Sequence, residues 1–315
     1  MAGVVNARVV ERVTLSSEVC GLTFERVLGR FAGLEAGAHI DVHLDDDTVR
    51  QYSLTEWDED GRRVSVAVKR EPDGRGGSLA MHALAVGDVV PISDPRNNFR
   101  LAEGDKPRVL VAGGIGITPL YAMARALSAD GLPFDLHYMV RSRSLAAFDG
   151  DLRALGLGEA YHLSCDDEDG IPDFMRLVER YPRDTRFYVC GPEVMLTAMQ
   201  KASEELAIGS VSFERFAAVP STESVDTRSF QLVLNSSEEV YDVPADRSIL
   251  QVLREAGRDV DWGCTEGVCG TCITDVLEGD IEHRDSILSD EEQQAGDCMC
   301  ICVSRAKGSR LVLDL

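Results

Sequence analysis

Up to about Leu101, apolar and polar positions alternate over short runs separated by Gly and Asp. Val64-Ser65-Val66-Ala67-Val68 and Arg50-Gln51-Tyr52-Ser53-Leu54 are the clearest examples. Period-two runs bounded by turn residues predict an antiparallel β-barrel. From Pro107 the pattern changes. Val109 to Ala112 is a continuous apolar run, followed by a glycine turn, a helical stretch from Leu120 to Leu127 and a second strand from Phe134 to Val140. Later, Phe187 to Cys190 runs into Gly191-Pro192 and a helical stretch from Val194 to Leu206. Strands alternating with helices predict a parallel sheet covered on both faces. Val219 to Arg228 is polar and aperiodic and reads as a linker. Beyond it the pattern predicts a hairpin (Phe230–Leu234 with Val240–Val243), a helix over Ser248–Ala256, and a capping box at Ser289-Asp290-Glu291-Glu292. Strands over Met299–Val303 and Leu311–Leu315 close the chain. The expected fold is therefore multidomain: a barrel over residues 1–104, an α/β domain over 105–224 with the linker at its end, and an α+β domain over 225–315.

Charge narrows the partners. Lys and Arg number 32 against 54 Asp and Glu, a formal charge of −22 in 315 residues. Such a surface repels nucleic acid and anionic lipid, so neither is an expected partner. No apolar run approaches the roughly 20 residues of a membrane span, and the start lacks a basic region leading into an apolar one. A cytoplasmic protein is expected. Of the 9 cysteines, Cys20, Cys165 and Cys190 are scattered, while the other six lie between Cys264 and Cys302. In a reducing compartment that clustering points to metal rather than to disulfides.

Cys264, Cys269 and Cys272 form C-x4-C-x2-C, and Cys302 follows after 29 residues. This is the spacing of a plant-type [2Fe–2S] site. Gly263, Gly267 and Gly270 let peptide N–H groups reach the sulfurs, where they stabilise the charge added on reduction. Zinc is the competing reading, but its loops favour paired C-x2-C knuckles. The fourth ligand stays open on spacing alone: Cys298, Cys300 and Cys302 alternate, and on a strand all three share one face.

With these motifs in order, the chain resembles the phthalate dioxygenase reductase family, which includes the vanillate demethylase reductases. The ending Cys302-Val303-Ser304-Arg305-Ala306 through Leu311-Val312-Leu313-Asp314-Leu315 is similar to that family's ending. The resemblance implies a flavin barrel, a nucleotide domain and a β-grasp ferredoxin domain, with Cys302 as the fourth ligand and Cys298 and Cys300 as packing residues.

Arg50-Gln51-Tyr52-Ser53 is the R-x-Y-S motif of flavin barrels. On a strand, Arg50 and Tyr52 share a face, so the guanidinium meets a phosphate while the ring packs on the flavin. Gly76-Gly77-Ser78 precedes an apolar stretch, and glycines opening a helix suit a phosphate. The resemblance implies FMN, with Arg50 and the Gly76–Ser78 loop at its phosphate. It sets Ala67, Val68 and Lys69 beside the ring system, Ser53 near its reactive edge, and Phe216 close by.

Gly113-Gly114-Ile115-Gly116-Ile117-Thr118-Pro119 follows a strand and opens a helix, giving a pyrophosphate close approach to the backbone through Gly114 and Gly116. Pro119 stands where a third glycine would be, a substitution compatible with a first helical turn. Cys190-Gly191-Pro192 ends another strand at the edge where ligands bind. In the resembled superfamily such a turn sets a cysteine near the nicotinamide, which makes Ser53 and Cys190 the candidate catalytic residues. Arg141-Ser142-Arg143 ends the second strand, with no acidic residue beside it in sequence. Two arginines suit a 2′-phosphate and hence NADPH, whereas the resemblance implies NADH, the expected donor.

The implied activity is a relay, with hydride from NADH to FMN and single electrons through the cluster to a terminal oxygenase of Rieske type acting on an aromatic compound. A monomer is expected. A cytochrome P450 as acceptor, or a redox-sensing module without turnover, are the alternatives.

Overall fold

The computed structural model describes residues 4–45, 48–217 and 228–315. Of the linker read over Val219 to Arg228, all but Arg228 lies outside the described residues. The chain divides into two compact units, one ending at Arg215 and one running from Phe216 to Leu315. No described helix is long and apolar enough to cross a membrane.

The first unit begins with β1 (Val5–Thr14), β2 (Val19–Arg26), β3 (His39–His43), β4 (Val49–Trp57), β5 (Arg63–Lys69), α1 (Gly77–Ala83) and β6 (Val89–Ile92). The strands close into an antiparallel barrel in the order β1-β2-β5-β4-β3-β6, with β6 returning to β1. Alternating residues such as Val9, Leu22, Phe24, Ile40, Leu54 and Val66 fill it, and Met81 of α1 joins them. Register shifts between Val9 and Glu11 and between Leu54 and Glu56 bend β1 and β4, as bulges do in closed barrels.

There follow β7 (Arg108–Gly113), α2 (Ile117–Ala129), β8 (Asp135–Val140), α3 (Asp149–Ala154), β9 (Tyr161–Cys165), α4 (Asp166–Asp169), α5 (Phe174–Glu179), β10 (Arg186–Cys190), α6 (Glu193–Glu205) and β11 (Ser210–Glu214). The sheet order is β11-β10-β7-β8-β9, and every pair is parallel. β7 is buried throughout because both of its faces are covered. Leu110 and Ala112 face α2, while Val109 and Val111 face Leu196 and Met199 of α6. The α2 side also takes in Val19, Ala36, Ala67 and Phe99, so the barrel and the sheet share one core. Tyr121 Oη donates to Glu56 Oε1 at 2.9 Å, and Arg125 pairs with the same carboxylate at 3.1 Å.

The second unit comprises β12 (Phe230–Leu234), β13 (Val240–Val243), α7 (Ile249–Glu255), β14 (Ile273–Glu278), β15 (Ile281–Glu282), α8 (Asp290–Ala295), β16 (Cys298–Cys300), β17 (Arg305–Ala306) and β18 (Arg310–Leu313). Its sheet runs β13-β12-β18-β14-β16, with β12 and β18 parallel. Ile249, Leu250 and Leu253 of α7 pack on Phe230, Leu232, Leu311 and Leu313, which is a β-grasp arrangement. Ser248 and Gln251 form a capping box for α7, and Ser289 and Glu292 form the expected one for α8. The strand expected over Met299–Val303 is shorter than its pattern suggests. It stops at Cys300, whose carbonyl accepts the N–H groups of Val303 and Ser304 in a turn. Cys302 therefore sits on that turn and does not share a strand face with Cys298 and Cys300.

Two left-handed glycines provide a test of this packing. Gly37 (φ +89°) would drive a Cβ into the Phe99 carbonyl, whereas Gly131 (φ +66°) has nothing within 4 Å of that position. Gly131→Ala should cost about 1 kcal/mol from backbone strain alone. Gly37→Ala should cost several times more, read as the difference in Tm between the two variants. Equal shifts would mean that the Phe99 contact is not tight.

Candidate functional site

Cys264, Cys269, Cys272 and Cys302 are all buried. The loop carrying the first three turns its peptides toward the sulfurs. Glu266 N–H points at Cys264 Sγ (3.3 Å), and the N–H groups of Thr271 and Cys264 point at Cys269 Sγ (3.4 and 3.5 Å). Gly267 (φ +70°) permits the turn, since a Cβ there would meet Val303 Cγ2 at 2.6 Å. Cys264 hydrogen-bonds to the thiols of Cys269 and Cys302, and these contacts hold its own thiol well below the ordinary range. Cys272 is lowered in the same way by Cys300 and Cys302. Cys302 thus touches both Cys264 and Cys272, whereas Cys300 touches Cys272 alone among these loop thiols through such a bond. Cys298, opposite Asp275 on β14, is only partly buried.

The four sulfurs are strung in the order 269–264–302–272. Among the described residues, the one group of three metal-binding side chains with all donor atoms within 4.8 Å is Cys165, Asp167 and Glu168. A single zinc ion, with Zn–S about 2.3 Å, would draw four sulfurs to within about 4 Å of one another. Four thiols linked pairwise, with no three of them in such a group, suit a two-iron cluster better than one ion.

At the barrel, Arg50 and Tyr52 share a face of β4. The Gly77 peptide lies flat on the Arg50 stem, where a Cβ would meet Arg50 Cγ at 2.6 Å and Nε at 2.7 Å. A larger residue at 77 would push the Arg50 side chain aside, and a guanidinium held here suits a flavin phosphate. Ser78 Oγ is already engaged, accepting Glu71 N–H at 3.0 Å. Gln51 points to the other face and donates to Asp41 Oδ1 at 2.9 Å, apart from Arg50 and Tyr52. Ala67 and Val68 are buried in β5, and Lys69 pairs with Glu71 at 2.5 Å. Phe216 is 44% exposed.

At the carboxyl edge of the parallel sheet, two turns interlock. A Cβ on Gly116 would overlap the Cys190 carbonyl, and one on Gly113 would meet Pro192 Cδ at 2.7 Å. A Cβ on Gly191 would stand 3.0 Å from Gly113 Cα. Gly114 (φ +54°) completes the first turn, and Ile117, Thr118 and Pro119 form the first turn of α2. Thr118 Oγ1 donates to the Ile115 carbonyl at 3.1 Å.

Ser53, Cys190 and Glu214 converge beside this edge, the last a residue to which the sequence assigned no role. Cys190 and Glu214 are register partners on β10 and β11, with Cys190 Sγ 4.0 Å from Glu214 Oε2. Glu214 is half-buried as a residue, yet its carboxyl is ringed by protein. Burial raises its pKa to about 8, against a hydrogen bond from Ser53 that lowers it. Burial and then the Glu214 charge push the Cys190 thiol up as well. The pocket therefore presents a neutral thiol and a carboxyl able to hold a proton near neutral pH. Acidity alone could not mark Glu214, because its partners lie on distant strands.

The structure adds a partner that adjacency in sequence does not show. Arg141-Ser142-Arg143 does have acidic company, brought by the strand that follows. Glu168 grips Arg143 with Oε2 2.6 Å from Nη2 and Oε1 3.3 Å from Nε. Sequence distance concealed it.

Comparison with known proteins agrees with this geometry. Residues 232–307 match the 2Fe-2S iron-sulfur cluster binding domain, and residues 6–101 match the oxidoreductase FAD-binding domain. Vanillate O-demethylase oxidoreductase of Pseudomonas sp. (strain HR199 / DSM 7063) is 40% identical over 309 residues, covering 96% of each chain. Phthalate dioxygenase reductase superposes with a TM-score of 0.73 at 34% identity, over 99% of this chain and 98% of that one. An intact type IV self-sufficient cytochrome P450 monooxygenase gives a TM-score of 0.88 at 36% identity. It is matched over 99% of this chain, which spans only 41% of that one.

Glu214 gives a prediction with a definite sign. Its carboxyl ionises near 4.5 when unfolded and near 8 in the fold. The folded chain thus binds the extra proton between these values, and this contribution to stability is lost as pH rises toward 8. Glu214→Gln cannot ionise. Its stability relative to the parent should rise between pH 5 and pH 8, by up to about 1.4 kcal/mol for each pH increment of one. Urea unfolding of both chains at the two pH values checks this, and a constant difference would refute it.

Proposed function

The chain belongs to the phthalate dioxygenase reductase and vanillate O-demethylase oxidoreductase family, and on that premise we propose that it moves electrons from NADH through FMN and a [2Fe–2S] cluster to a Rieske-type oxygenase acting on an aromatic compound. The observation that carries this reading is the string of four thiols, built into the same chain as a flavin barrel and a nucleotide sheet. When bound, a flavin accepts both electrons of a hydride and returns them singly, and a cluster carries one at a time.

The chain's own residues supply position and charge. Arg50 and the Gly77 peptide would hold the flavin phosphate, and the kinship with phthalate dioxygenase reductase supports FMN. Interlocked turns at Gly113–Gly116 and Cys190–Pro192 would seat the pyrophosphate and bring the nicotinamide over the ring. Ser53 and Cys190 line that meeting point without fixed charge, and Glu214 holds a proton one hydrogen bond from the Ser53 hydroxyl. Cys264, Cys269, Cys272 and Cys302 would ligate the cluster; the double contact of Cys302 supports it over Cys300. The peptide N–H groups at Glu266 and Thr271 favour the reduced state.

A cytochrome P450 is the second reading of the acceptor, favoured by the high TM-score with the self-sufficient monooxygenase. The chemistry within this chain is the same for both.

Purified protein should yield one FMN, two iron and two acid-labile sulfide per chain, and FAD on acid extraction would overturn the flavin assignment. Cys302→Ser should lose the cluster's visible absorbance while Cys298→Ser and Cys300→Ser retain it; the reverse pattern would reassign the ligand. Coupled turnover with purified Rieske and P450 partners identifies the acceptor. It should weaken as salt is raised, because an acidic donor of charge −22 seeks a basic surface.

A further inference from the structure

We infer that Glu168 sets the choice between NADH and NADPH, by occupying the guanidinium that would otherwise bind a 2′-phosphate. The inference rests on the proposed binding of a nicotinamide nucleotide at this sheet edge. There the loop after β8 meets the adenosine ribose, and the loop after β9 lies beside it.

Two arginines on the first loop would by themselves invite a phosphate. The second loop answers them. Asp166 to Asp169 make a single acidic turn, tied to the arginine loop by a hydrogen bond from Asp167 N–H to the Arg141 carbonyl at 3.2 Å. Within that turn Asp169 is spent on its own backbone, accepting Cys165 N–H at 2.9 Å. Glu168 instead reaches across and engages Arg143 through Nε and Nη2, fork against fork. A phosphate taking that edge side-on would compete with the carboxylate for the same two donors. A 2′-phosphate bound there would displace a carboxylate and settle beside the other acidic side chains of the turn. A ribose 2′-hydroxyl meets no such cost, and can donate to the carboxylate already there.

The ion pair itself is half-exposed on both sides, 53% and 48%, so breaking it costs the fold little. A change at Glu168 is accordingly expected in nucleotide selection and not in folding. Glu168 acts through Arg143, which makes it a positioning residue, and its effect should vanish when Arg143 is removed.

The test uses the full chain with its cofactors bound, as Glu168→Gln and as the double variant Arg143→Gln/Glu168→Gln. Two quantities are read: the NADPH-to-NADH ratio of kcat/KM with ferricyanide, and the ratio of calorimetric affinities for 2′,5′-ADP and ADP. Glu168→Gln should raise both ratios at least fivefold over the parent, and the double variant should lose the gain. A smaller rise, or a gain that survives loss of Arg143, overturns the inference while leaving a parental preference for NADH intact. If the parent itself uses NADPH as well as NADH, the NADH reading and this inference fall together.

Discussion

Two stretches of backbone at the carboxyl edge of the parallel sheet lie closer than any side chain would permit, and the proposed nucleotide site hangs on that approach. Gly116 rests on the Cys190 carbonyl and Gly113 on Gly191 and Pro192. The approach is possible because β7 and β10 are neighbours in register, Ala112 beside Cys190, so both turns leave the sheet at one level. Cys190 is then fixed next to Glu214 on β11. The shared core under α2 fixes the barrel, and with it Ser53, to the same edge. A methyl group at Gly113, Gly116 or Gly191 would prise apart contacts that reach from residue 53 to residue 214.

Much of this was legible in the chain because its motifs are local. R-x-Y-S, the glycine turn, Cys190-Gly191-Pro192 and C-x4-C-x2-C each set their chemistry within a few residues, and period reveals the strands that carry them. What escaped is long-range. Glu214 and Glu168 look like any surface carboxylate until Ser53 and Arg143 are brought to them. Gln51 belongs to R-x-Y-S in sequence, but alternation sends it to Asp41 on the other face. The run Cys298-Met299-Cys300-Ile301-Cys302 has a strand's alternation, yet two N–H groups turning back to the Cys300 carbonyl end the strand early.

The two carboxyls missed by pattern work by opposite physics. Glu214 is stripped of water and keeps its proton toward neutral pH, so it contributes a donor without charge. Glu168 stays half-exposed, and its influence is exerted through one guanidinium in contact. Burial, more than residue type, divides a proton-holding role from a charge-placing one.

With the proposed ligand set, Cys272 and Cys302 bracket residues 273–301, a segment holding β14, β15, α8 and β16. Backbone bonds already draw the bracket shut, with Ile301 N–H on the Cys272 carbonyl and Leu250 N–H on the Ile301 carbonyl. Closing a loop of that length costs on the order of 3 kcal/mol of chain entropy. Ligation across it would act as a cross-link on the β14-to-β16 part of a small sheet domain. Iron supply then governs more than electron flow: a chain left without metal is the looser one, and the one a protease finds first.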